Sequence, residues 1–148
     1  MRALGVDLGT RRIGVAISDS GGVLASPYEV VARSGDEQVD HRRLLAIAAE
    51  VEAELIVVGL PLSLDGSMGP AATAAVAEAE RLGATTDLPV ELYDERFTTV
   101  TADRSLMERK MKADARRQII DKLAAAVMLQ AWLDSRSRTD PPESPASS

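Results

Sequence analysis

The sequence predicts a mixed α/β sheet with helices on both faces, and two observations carry that expectation. The first thirty residues hold three apolar stretches separated by short glycine-bearing turns, the pattern of an antiparallel meander. After them the periodicity changes: compact apolar strands alternate with longer stretches of helical spacing, which favours parallel pairing through crossovers. The expected order is βββαβαβαα, a five-stranded sheet in one domain with no internal repeat.

Residues 3–8 read as a buried strand, Gly9-Thr10-Arg11-Arg12 as a turn, and Ile13 to Ser18 as a second strand. Asp19-Ser20-Gly21-Gly22 turns the chain into a third strand over Val23 to Val31. Pro27 inside that strand implies an edge or a bulge, because proline cannot donate to the ladder. From Asp36 to Val51, Leu44, Ile47, Ala48 and Val51 recur at helical spacing. Leu55 to Gly59 is wholly apolar, as in a strand buried on both faces. Pro70 fits the first turn of a helix that Gly83 closes. Val90 to Tyr93 forms the fifth strand. Thr98 or Thr99 can cap a helix running to about Lys112, and Asp114 a final one running to about Asp134. The domain is thus expected to span residues 1–134. The Ser/Pro/charge-rich stretch 135–148 reads as a disordered tail.

Composition narrows the function classes. Hydrophobic residues make up 45% of the 148, enough for one proper core, and only four are aromatic, so Val, Leu, Ile and Ala must build it. The absence of cysteine removes disulfide scaffolds and thiolate metal sites. No signal-like or membrane-length apolar run is present, so the expected setting is the cytoplasm, with no membrane partner. The net charge of −6 argues against a general nucleic-acid coat. It is unevenly spread, however: residues 104–122 hold seven bases against three acids, leaving −10 on the remainder. A basic surface beside acidic positions suits an enzyme that grips phosphate and holds cations.

Two aspartates stand in apolar surroundings. Asp7 interrupts Ala3-Leu4-Gly5-Val6-Asp7-Leu8, and Asp121 lies in an alanine-rich helical stretch. Asp121 shares a helix face with Ala124, Ala125, Met128, Leu129 and Trp132. The two alanines are small enough to let the helix approach the sheet and turn Asp121 towards it. Buried carboxylates need a positive partner. A plain alternative gives Asp121 an Arg117 one turn away, and Asp7 the amides of Gly9 or Thr10. Ligands of such sheets gather beyond the carboxyl ends of the parallel strands. Asp7, Gly59-Leu60-Pro61 and Asp94-Glu95 all lie at such ends and should converge. Two carboxylates about 4 Å apart repel by roughly 4 kcal/mol at a protein-like dielectric, so a shared cation is the natural complement. Three oxygen ligands (Asp7, Glu95 and Asp121) without His or Cys suit Mg²⁺ or Mn²⁺. One or two such ions suit hydrolysis of a phosphodiester. The loop from Gly59 to Ser67 offers amides that could hold a phosphate, and Arg11 and Arg12 two guanidiniums just past Asp7. His41, the only histidine, falls at a polar helix start and reads as an exposed residue remote from the carboxylates.

Four segments carry a resemblance. The stretch from Leu4 to Ala16, read around Asp7-Leu8-Gly9-Thr10-Arg11-Arg12, resembles the opening signature of the YqgF family of pre-16S rRNA nucleases, also labelled Holliday junction resolvase-like. Gly59-Leu60-Pro61-Leu62 with Asp65-Gly66-Ser67, Asp94-Glu95-Arg96-Phe97-Thr98-Thr99 and Asp121-Lys122-Leu123-Ala124-Ala125 resemble its later motifs, in order and at family-like spacing. The resemblance covers about residues 3–134. It implies an RNase H-like fold, a catalytic metal site of Asp7, Glu95 and Asp121 using Mg²⁺ or Mn²⁺, and trimming of the 5′ end of the 16S rRNA precursor. Ser63 departs from the asparagine many members carry, and Asp94 rivals Glu95 on the motif alone. Substrate phosphate is expected to meet Thr10, Arg11, Arg12, Ser63, Arg96 and Lys122. The partner is then precursor rRNA, with branched DNA an alternative, and the protein a monomer or homodimer.

Competing readings are a junction-resolving DNA endonuclease, a non-catalytic RNA- or ribosome-binding module built on the basic segment, and an ATP-dependent phosphotransferase. The last shares the Asp-x-Gly-Thr loop but needs a second domain for which 148 residues leave no room.

Overall fold

A computed structural model describes residues 1–63, 65–95 and 114–139, with side chains in the last segment over 120–136. Three strands, β1 (Ala3–Leu8), β2 (Arg12–Ser18) and β3 (Ala25–Ala32), form the expected meander, β1 and β3 each antiparallel to β2. After α1 (Glu37–Glu50) comes β4 (Leu55–Leu60), parallel to β1. After α2 (Pro70–Gly83) comes β5 (Val90–Asp94), parallel to β4. The sheet order is β3-β2-β1-β4-β5, and α3 (Asp114–Thr139) packs across it. The expected helix after Thr98 lies outside the described residues. α3 runs to Thr139, five residues beyond its expected end, so residues 135–139 are helix rather than tail.

Local sequence explains these limits. The Asp36 carboxylate accepts the amides of Gln38 and Val39 and opens α1. Pro70 starts α2, where its missing N–H costs nothing. Pro27 sits on an edge strand, and the β2–β3 register slips between Val15 and Ala16, which face Glu29 and Pro27; Tyr28 is the extra residue of a bulge.

Alternation divides the sheet. Leu4 and Val6, Ile13 and Val15, and Ile56 and Val58 face one side, where they pack with Leu44, Ile47 and Ala48 of α1 and Ala79 and Leu82 of α2. Ala3, Ala16, Leu55 and Val57 face the other, under Ala124, Ala125, Met128, Leu129 and Trp132 of α3. The apolar stripe expected around Asp121 is therefore the buried face of that helix. On this side the contacts are close: a Cβ on Gly5 would stand 2.9 Å from Leu129 Cβ, and one on Gly14 only 2.2 Å from the Asp121 carbonyl oxygen.

Candidate active site

Asp7, at the carboxyl end of β1, follows Val6 and so faces the α3 side of the sheet; it is buried. Across the antiparallel ladder its partner is Gly14. The parallel pairing of β1 with β4 runs to Val6 opposite Val58, so the next residues, Asp7 and Gly59, lie side by side about one strand spacing (~4.8 Å) apart. Both flanking positions are glycine, and each empty Cβ position is filled by part of the site. Over Gly59 lies the side chain of Glu95: a Cβ there would meet Glu95 Oε2 at 2.2 Å. Over Gly14 lies the backbone of α3 at Asp121.

Glu95 is buried immediately after β5, and Asp94 pairs with Leu60 at the strand's last position. Tyr93, opposite Gly59, packs against the α3 cluster, so the pleat turns Asp94 to the other face while Glu95 returns to the α3 side. Asp94 and Glu95 thus face opposite sides of the sheet end. Asp121 Oδ2 accepts a 2.7 Å hydrogen bond from Arg12 Nε, while the alternative partner Arg117 lies outside the residues whose side chains are described. The positive partner that a half-buried carboxylate needs is, in this structure, a guanidinium from the turn after Asp7.

The three acids therefore share one face and one end of the sheet, but they are set openly. Among the described residues, the one trio of metal-capable side chains whose ligand atoms all lie within 4.8 Å of one another is elsewhere: Glu37, His41 and Glu78. That cluster is already supplied with cations. Both Glu78 oxygens accept from Arg33 at 2.9 Å, one also meets His41 Nε2 at 2.8 Å, and both Glu37 oxygens accept from Arg81. Burial pushes the Glu78 carboxyl up, but the donors Arg33 and His41 outweigh it and hold the group below its usual range. Arg81 likewise lowers Glu37. His41 is therefore not the exposed residue its polar helix start suggested; it is buried, because α2 presents Glu78 to it. Sequence reasoning missed this group. The available signal was Glu78 itself, three residues after Ala75 and four before Leu82 on the buried stripe of α2.

The remaining candidates divide. Thr10 and Arg11 are exposed on a tight turn in which the Gly9 amide donates to the Arg12 carbonyl at 3.0 Å. Lys122, next to Asp121, is half-buried. Ser63 is exposed, in a loop that closes on itself. The amides of Leu62, Ser63, Gly66 and Ser67 bond to Leu60, Ser67, Ser63 and Asp65, with Gly66 at φ +89°. Those four amides are spent within the loop, so the expected amide cradle for phosphate does not form from them. The Asp65 side chain and the left-handed glycine fold the loop inward instead. Arg96 lies outside the described residues.

No helix among the described residues is long and apolar enough to cross a membrane. A family model described as "RuvX: Holliday junction resolvase" matches residues 1–135. A relative from Rhodococcus erythropolis is 50% identical over 145 residues, covering 95% of this chain and 82% of its own length. One from Pelotomaculum thermopropionicum is 44% identical over 138 residues, covering 93% and 90%. Both are named as pre-16S rRNA nucleases. Among solved structures, T. thermophilus RuvC in complex with a Holliday junction substrate superposes with a TM-score of 0.56 at 18% identity, over 94% of this chain and 97% of that one, a likeness of fold. Sheet order, acidic sheet end and sequence likeness agree: the chain belongs to the RuvX family of resolvase-like, RNase H-fold nucleases.

Proposed function

We propose that this nuclease trims the 5′ end of the 16S rRNA precursor in the cytoplasm, working at the acidic end of the sheet beneath α3. The observation that carries the reading is the placement of Asp7, Glu95 and Asp121, from three distant parts of the chain, around Gly59 and Gly14 on one face. An oxygen-only donor set fits Mg²⁺ or Mn²⁺, and Mg²⁺ is commonly held by one or two carboxylates with water and substrate phosphate completing its shell. The open setting of the three acids is compatible with that habit. Asp7 and Glu95 would hold the ion, and Asp121 would join them by exchanging its bond to Arg12. When bound, the ion supplies an activated water and charge stabilisation at the leaving oxygen.

The chain's own residues do the rest. Glu95 and Asp121 orient the attacking water. Arg11 and Arg12 bind phosphate through the turn that follows Asp7, Arg12 being released as Asp121 changes partner. Thr10, Lys122, Ser63 and Arg96 extend that contact along the nucleic acid. One copy suffices for a single-strand cut.

The family description favours a second reading, resolution of branched DNA, which would require a two-fold dimer for paired cuts. The test is purified protein with Mn²⁺ against a 16S precursor RNA and a four-way junction, with Asp7→Asn as control. The expected outcome is RNA cleavage that Asp7→Asn lowers by more than about a hundredfold, beyond the usual cost of losing a supporting group, while RNA affinity is kept. Cleavage of the junction alone would replace the first reading with the second. Metal-indifferent RNA binding without cleavage of either would reduce the protein to a binding module.

A further inference from the structure

Arg33 stands one residue beyond β3, and its bonds reach the turn after β1 and helix α2. Its Nε donates to the Gly9 carbonyl at 2.9 Å, and its backbone amide donates to the Arg11 carbonyl at 2.9 Å. Its two terminal nitrogens grip the Glu78 carboxylate of α2, each at 2.9 Å, and Glu78 is held from behind by His41 of α1. One residue therefore holds two carbonyls of the turn that carries Thr10, Arg11 and Arg12, Gly9 through its side chain and Arg11 through its backbone amide, and its guanidinium anchors that turn to the helices on the opposite face of the sheet. The planar guanidinium uses its fork on Glu78 and its Nε–H on Gly9; a lysine ammonium would keep the charge but not that geometry. Gly9 itself has no slack, since a Cβ there would meet the Arg12 carbonyl oxygen at 2.5 Å.

We propose that Arg33, seated on the buried Glu78–His41 pair, is a positioning residue that fixes the Gly9–Arg12 turn so that Arg11 and Arg12 meet substrate phosphate. The proposal rests on the nuclease reading for the turn's role, though not for the clamp itself. Arg33 touches no reacting group; it acts through the turn.

The experiment compares wild type with Arg33→Lys, and with Glu78→Gln as a second variant that keeps an acceptor for Arg33 should the first fold poorly. Amide hydrogen exchange, read without substrate, should accelerate at Gly9 by at least about tenfold, while Val6 and Val15 in the core strands keep their protection. Cleavage of the precursor RNA should show KM raised by about tenfold or more with kcat within a few-fold, because phosphate contact rather than the acidic centre is disturbed. Unchanged exchange at Gly9 overturns the proposal, and so does uniform acceleration across the sheet, which would make Arg33 a general stabiliser. Failure of wild type to cleave any substrate would sink the nuclease reading instead. In that case affinity for a fluorescent RNA hairpin replaces KM, and Arg33→Lys must weaken it by a similar factor.

Discussion

The two faces of this sheet are built on opposite plans. On the α1–α2 side the strands present Leu4, Val6, Ile13, Val15, Ile56 and Val58, large side chains that fill the space to the helices, and the polar groups at its margin are matched by partners on the same side: Glu78 by Arg33 and His41. On the α3 side the strands present Ala3, Ala16, Gly5 and Gly14 beside Leu55 and Val57, the helix backbone comes close at Gly14, and the Glu95 carboxylate occupies the space over Gly59. One face is packed for stability. The other is thinned at its carboxyl end, and the charge held there is matched in part by a guanidinium that the proposed mechanism needs elsewhere. The lesson is that the proposed centre is made as much by what the strands omit as by the acids they carry.

Substitutions on a single strand, β4, can break this contrast. Ile56, fully buried on the packed face, should lose about 2–5 kcal/mol of stability on truncation to alanine, with activity of the folded protein little changed below its melting temperature; urea unfolding alongside RNA cleavage checks it. Gly59, three residues on and on the thinned face, should show the reverse. In Gly59→Ala the new methyl displaces the Glu95 carboxylate, a flexible side chain that can swing aside, so stability should stay within about 1 kcal/mol. Activity should nevertheless fall by about a hundredfold, or ~2.7 kcal/mol in the barrier, with weaker Mn²⁺ dependence. If Gly59→Ala unfolds the protein while sparing activity per folded molecule, the contrast between the faces is wrong.

The smallest expected effect is on acid stability. The Glu78 and Glu37 carboxyls are held below their usual 4.5 in the folded protein by Arg33 and His41, and by Arg81. A depressed carboxyl contributes stability that is complete above its unfolded value and disappears as pH falls through its folded value. Unfolding free energy should therefore be steady above about pH 5 and decline below about pH 4.5, and Glu78→Gln should make that decline shallower. Denaturant titrations at pH 7, 5 and 3 measure it.

Much of this architecture was legible in the residues. Apolar runs, Asp36, Pro70 and Gly83 located the strands and helices because each acts locally, through burial, capping or a missing donor. Asp7 and Asp121 were legible because a carboxylate in an apolar stretch needs a partner. What could not be read was which partner: Arg12 and Asp121 are 109 residues apart, and only the fold brings them to 2.7 Å. Gly59 was readable as the carboxyl end of a buried strand, but nothing local to Gly14 reveals that α3 lies over it. His41 was misread because a polar helix start gives no hint that a carboxylate on another helix covers it. The rule that singled out Asp121, a charge on an apolar stripe, applied equally to Glu78 and would have found it.

The bulge at Tyr28 and the proline beside it have a consequence beyond the meander. Pro27 offers no N–H to a neighbouring chain, and the extra residue twists the rim away from a straight template. The β3 margin is thereby a poorer template for strand addition by a second molecule or an aggregating segment.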